Sequence, residues 1–150
     1  MGVDRVRFPA ARKGELIMIQ HAIVIIAALT GFIAAYYIAR QKARGEKLVC
    51  PLDANCEAVV TSNYSRLLGV PLEYLGLLYY SVTFLTHVLF LFFPVWSEGY
   101  YPLILKIVSG GAFLFSLYLI WVQFAKLKNW CFWCLISSAA TLVIFISSFF

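Results

Sequence analysis

Apolar and polar positions alternate along this chain in long blocks rather than residue by residue. Four apolar blocks stand out, at residues 16–38, 72–93, 103–125 and 131–150. Each is close to the ~20 residues that carry a helix across ~30 Å of hydrocarbon. The blocks show no period-two alternation, which argues against barrel strands. In lipid every backbone amide needs a partner within its own segment or a closed barrel, so the pattern predicts helices. The expected fold is all-α: a four-transmembrane-helix bundle forming one domain, with both chain ends on the same side of the membrane.

The connections are unequal. A short turn at 94–102 holds Trp96, Tyr100 and Tyr101, residues suited to a membrane interface, and a tight basic link at 126–130 precedes the last span. The loop at 39–71 is long, and a loop of that length in a small protein usually has a task. Within it Cys56, Val59, Val60, Tyr64, Leu67 and Leu68 follow helical spacing. That predicts a short amphipathic helix across the mouth of the bundle, capped by Asp53 or Asn55 and stopped by Gly69 and Pro71.

Composition sharpens this picture. Of 150 residues, 63% are hydrophobic and 13% charged, about half the charge of an ordinary soluble domain. The net charge of +5 sits in flanks of the apolar blocks and forms no continuous stripe. It points to membrane lipid headgroups rather than nucleic acid.

The candidate chemistry lies in four cysteines. With an even number of spans, Cys50, Cys56, Cys131 and Cys134 all fall on one side. Cys131-Phe132-Trp133-Cys134 places a C-x-x-C at a helix start, with Asn129 as a candidate cap. Unpaired amides there stabilise a thiolate, and Lys126 and Lys128 add positive potential. Cys50 and Cys56 make a second pair on the loop. A zinc site, purely structural disulfides and unpaired core cysteines are the competing readings. No metal site is expected, because the spacing is unusual for zinc and the motif is embedded at a span. Tight, reducible C-x-x-C bridges make poor staples, which argues against purely structural disulfides. A two-step thiol relay accounts for all four residues. No phosphate-binding glycine loop is present, and a lipid quinone would accept the two electrons a dithiol gives. His21 and His87 read as polar core residues.

Two loop cysteines, Ser62 six residues on, Gly69-x-Pro71 with Gly76, and a closing Trp130-Cys131-x-x-Cys134 together resemble the vitamin K epoxide reductase family, in its microbial, quinone-reducing branch. The resemblance runs from Cys50 to Ser138. In the DsbB family, a functional analogue, the C-x-x-C pair comes first; here it comes last. The resemblance implies that Cys134 contacts the quinone, of ubiquinone or menaquinone type. It implies that Cys131 exchanges with Cys56, and that Cys50 meets a separate thioredoxin-fold partner. It also places Ser62 near the quinone headgroup. Tyr79, Tyr80 and Trp130 are pocket candidates by position. Vertebrate members carry Thr-Tyr-Ala where Ser137, Ser138 and Ala139 stand. A vitamin K epoxide or quinone reductase proper, and a non-catalytic disulfide-stapled scaffold, are the alternatives.

The expected location is the cell membrane, crossed several times. The family habit puts the cysteines outside the cytoplasm. The charges point the other way: Arg40, Lys42, Arg44, Lys47, Arg66, Lys126 and Lys128 lie on the cysteine side. Arg5, Arg7, Arg12, Lys13 and Lys106 lie opposite, and the positive-inside rule then makes the cysteine side cytoplasmic.

Overall fold

A computed structural model describes residues 10–51 and 55–149. Its helices are α1 (Ala10–Arg44), α2 (Cys56–Val60), α3 (Leu72–Phe92), α4 (Tyr101–Val122) and α5 (Phe132–Phe149). Four of them, α1, α3, α4 and α5, are long and apolar enough to cross a membrane. The bundle of four spanning helices is therefore the observed fold, with boundaries close to those expected except at both ends of α1.

α1 runs six residues past the apolar block because Ala39 to Arg44 are strong helix formers, whatever their charge. It stops at Gly45, whose φ is +68°. There the Gly45 N–H bonds Lys42 O at 3.2 Å and the Glu46 N–H bonds Gln41 O at 3.1 Å. This is a Schellman closure, and the left-handed position favours glycine. The apolar block gave the membrane segment, while the helix itself obeys backbone propensity.

Val24, Ala27, Ala28, Ala34, Ala35 and Ile38 form the buried stripe of α1, which packs against α3 and α5. Small residues allow the close approach. The Tyr80 ring lies directly on Gly31, and a Cβ at Gly76 would meet the Ala35 methyl at 3.5 Å. α4 packs along α5, with Phe113 and Phe145 stacked at 4.6 Å.

Side-chain contacts fix the directions. Gln20 donates to Ser147 O near the start of α1 and the end of α5. Lys42 meets Glu73 where α1 ends and α3 begins, and Gln123, just after α4, meets Cys131 before α5. The four helices alternate up and down. Their connections from α1 to α3 and from α4 to α5 share one end, and Cys50, Cys56, Cys131 and Cys134 share it too.

The loop before α3 departs from expectation. α2 has five residues, with Cys56, Val59 and Val60 buried and Asn55 Oδ1 accepting from the Ala58 N–H at 3.2 Å. Asp53, the other expected cap, lies outside the described residues. The helix ends because the Thr61 and Ser62 hydroxyls bond back to Glu57 O and Val59 O, at 2.6 and 2.7 Å. A short 3₁₀ turn at Asn63–Ser65 follows, then a two-residue hairpin pairing Arg66 with Pro71 and Leu67 with Val70. Leu68 and Gly69 form its tip with positive φ, as such turns require. Tyr64 therefore lies in the 3₁₀ turn and Leu67 and Leu68 in the hairpin, none of them on α2, and Leu68 is 97% exposed. Gly69 and Pro71 serve the hairpin rather than stopping a helix.

Candidate active site

Cys50 and Cys56 are joined by a disulfide, with Cα atoms 6.1 Å apart, while Cys131 and Cys134 are free thiols. Burial brings the pairs together. Ile38, Cys56, Val59, Val60 and Cys131 form one buried cluster, with Cys50, Trp133 and Cys134 packed on it. The segment before Cys50 is held from both sides. Trp133 Nε1 donates to Val49 O at 3.0 Å, and the Val49 N–H donates to the Tyr37 hydroxyl at 3.3 Å. The Tyr37 and Trp133 rings are 4.6 Å apart. Trp133, inside the C-x-x-C, thus anchors the segment that leads into Cys50.

Cys131 precedes the first residue of α5 and caps it. Its sulfur accepts the Cys134 N–H at 3.2 Å, and its carbonyl accepts the Leu135 N–H at 3.0 Å. The expected cap, Asn129, instead turns back and donates to Leu127 O. The Cys134 thiol, donating to the Cys131 sulfur, lowers the Cys131 thiol below its ordinary value. The Cys134 and Trp133 backbone amides act the same way, against burial, which pushes it up. The lysines expected to help are exposed, and Lys126 stands over the Trp121 ring at 5.9 Å.

The Cys131 N–H donates to Gln123 Oε1 at 3.1 Å, and Gln123 is almost fully buried. Gln123 opens a single π-turn, Gln123–Leu127, that ends at Lys128 with φ +51°. That wider turn continues α4 into the link and carries Gln123 beside Cys131.

Cys134 faces a cavity of about 120 Å³. Its walls are mostly apolar, with Ala35, Ile38, Leu119 and Val122 among them, and Ser62, Ser137, Ser138 and Glu73 supply polar groups. Apolar walls with a few convergent polar groups are the usual form of a small-molecule site. Ser62 sits on this cavity, but its hydroxyl proton is committed to Val59 O, so in this conformation its oxygen is an acceptor.

The aromatic candidates lie elsewhere. Tyr80 is buried between α1 and α5, its hydroxyl bonded to Ser137 O, Ser137 Oγ and Thr141 Oγ1 at 2.7, 2.7 and 2.9 Å. It supports the serine that lines the cavity and does not line it. Tyr79 packs edge-on against Tyr80, and Trp130 is half-exposed against Phe124. Position along a span does not say which way an aromatic points, and these three turn into helix packing or the interface.

The model of the Vitamin K epoxide reductase family matches residues 22–149. The chain belongs to that family. Among curated proteins, none matches it. Membership in the vitamin K epoxide reductase family, with four apolar helices and a disulfide, makes this a multi-pass integral membrane thiol oxidoreductase. Enzymes of the vitamin K epoxide reductase family are in general linked to quinones and to thioredoxin-like partners.

Glu73 and Gln123 are the residues that sequence reasoning missed. Glu73 carries the one charge in Leu72–Phe92, and an acidic residue within a span is a functional candidate on that ground alone. Gln123 had no comparable signal, since its role depends on a local change of helix pitch.

Proposed function

We propose that this protein oxidises the thiols of a separate thioredoxin-fold protein and passes the electrons to a lipid quinone of ubiquinone or menaquinone type. Each turnover makes one protein disulfide. Electrons enter at Cys50–Cys56, move to Cys131–Cys134, and leave from Cys134.

The observation that carries this reading is the division of surroundings within one cluster. Cys134 opens onto an apolar-walled cavity, while Cys131 is fully buried with Cys56. The redox states fit as well. A disulfide at Cys50–Cys56 can accept electrons from a partner, while thiols at Cys131 and Cys134 can give them up. The cavity suits a ring with a hydrocarbon tail, apolar on its faces and approached by hydroxyls at Ser62, Ser137 and Ser138.

In the exchange step a partner thiolate attacks Cys50, forming one S–S bond and breaking the one to Cys56. The partner's second thiolate attacks its sulfur bonded to Cys50, so the partner leaves as a disulfide and Cys50 is freed. The Cys56 thiolate attacks a Cys131–Cys134 disulfide at Cys131, releasing Cys134, and Cys50 then attacks Cys56, which re-forms Cys50–Cys56 and releases Cys131. In the last step Cys131 and Cys134 close their disulfide again, and the quinone gains two electrons and two protons.

The test reconstitutes purified protein with a reduced thioredoxin-fold protein and a short-chain ubiquinone, wild type beside Cys134→Ala. Wild type should reduce the quinone and oxidise the partner together, and the variant should lose at least ~100-fold in rate. Quinone reduction that survives the substitution would overturn the mechanism.

A further inference from the structure

We propose that Glu73 is the proton carrier of the cavity: it takes the proton of the Cys134 thiol and delivers protons to the quinone, with Lys42 as its link to water. The inference rests on the quinone reading above and names the acid–base group that reading lacks.

Glu73 lies in the first turn of α3 and is only 8% exposed. A carboxylate sheltered at the head of a membrane span is costly unless paired. Its partner is Lys42 Nζ at 2.8 Å, which also donates to Val60 O at 3.0 Å. The pair is asymmetric. The Lys42 side chain is 22% accessible against 6% for Glu73, so one member reaches toward water while the other faces inward.

Inward is the cavity. Glu73 and Cys134 line it together, and the Cys134 sulfur lies within electrostatic reach of both Glu73 and Lys42. The lining side chains that can titrate are Tyr64, Glu73 and Cys134, among the described residues. Tyr64 is half-exposed and open to water. The remaining polar groups on the wall are serines and the Gln123 amide, which neither take nor release a proton readily. Glu73 is the base that faces the thiol.

The chemistry requires one. Forming a disulfide from Cys131 and Cys134 removes two thiol protons and two electrons, and the quinone gains two O–H bonds. Hydrogen bonds hold the Cys131 thiol below its ordinary value, against burial. Cys134 is the thiol that lines the cavity. The Glu73 carboxylate takes the proton from its Sγ, which frees the sulfur electron pair for transfer, and then gives it to a quinone oxygen. The second proton, equal to the one Cys131 released, enters from water through Lys42 and Glu73. A purely structural pair would tie α1 to α3 just as well but would place no demand on proton transfer.

The experiment measures quinone reduction by the full-length protein in lipid nanodiscs, with a short-chain ubiquinone and dithiothreitol as electron source. Glu73→Gln should slow it on the order of 100-fold, the usual range for a lost acid–base group. Glu73→Asp should recover most of the rate. In Glu73→Ala, added acetate should raise the rate in proportion to its concentration, which a structural carboxylate would not allow. Wild-type circular dichroism, recorded before dithiothreitol is added, checks that each variant is folded. An unchanged rate in Glu73→Gln overturns the inference alone. So does a loss that neither Asp nor acetate restores, which would leave the pair structural. Wild-type protein that reduces no quinone overturns the proposed function itself, and the inference with it.

Discussion

The Cys131 sulfur occupies the cap of α5 and receives hydrogen bonds from Cys134, which hold its thiol below the ordinary value. The two cysteines of one C-x-x-C thereby stand in different surroundings. Cys134 lines the cavity, and Cys131 lies buried beside Cys56. A lowered thiol keeps its thiolate down to more acidic pH, and removing the cause of the lowering must move the midpoint back up. Cys134→Ala deletes the first cause, the donor thiol. Its Cys131 should therefore titrate at higher pH than in wild type, with less thiolate at any pH below the midpoint. Ultraviolet thiolate absorbance follows this directly, since the Cys50–Cys56 disulfide does not titrate. A midpoint that stays put or falls would remove hydrogen bonding from Cys134 as the cause.

At the scale of elements, what could be read from the chain followed from how each signal is generated. Hydrocarbon thickness sets span length, so the four apolar blocks marked α1, α3, α4 and α5. Helix ends answer instead to caps and propensity, and α1 continues through Arg40, Lys42 and Arg44 to Gly45. Helical spacing from Cys56 to Leu68 was a misleading cue, because Thr61 and Ser62 bond their own backbone and the following residues turn into a hairpin. The cysteines were legible because spacing and span parity fix them without side-chain packing. The cavity wall was not, since Tyr80 and Ser137 meet 57 positions apart.

The bond from Trp133 to Val49 is a contact of the same non-local kind, and it joins the elements carrying the two cysteine pairs. Trp133→Phe keeps a ring against Tyr37 and removes only the indole N–H, a loss of about 0.5–1.5 kcal/mol. The Cys50 segment would then be held less often in register with Cys56 and Cys131. Electron exchange between the pairs should slow about threefold to tenfold, by the same energy. Rapid acid quenching followed by thiol alkylation measures it. An unchanged exchange rate would mean that the tryptophan only packs.

On the scale of the whole molecule, the basic residues bear on which way the cysteine end faces. The alternating helices place Arg40, Lys42, Arg44, Lys47, Arg66, Lys126 and Lys128 at that end. Lys106 lies at the other, its ammonium 6.0 Å from the Phe149 ring at the end of α5. The positive-inside rule acts on basic residues close to span ends, where most of these lie, and it favours a cytoplasmic cysteine face. A disulfide facing the cytoplasm is unusual, though some intracellular proteins do keep them. We predict that a membrane-impermeant maleimide, applied after mild reduction, labels Cys50 in inverted vesicles and not in intact cells. The charge argument makes a second demand on the same assay. Neutralising Arg40, Arg44 and Lys47 to Gln takes the cysteine end from seven basic residues to four. A bias that sets orientation should then fail, and Cys50 should become labelled from outside in part of the population. Strong labelling of wild-type Cys50 in intact cells would place the face outward and leave the lysines and arginines to lipid binding alone.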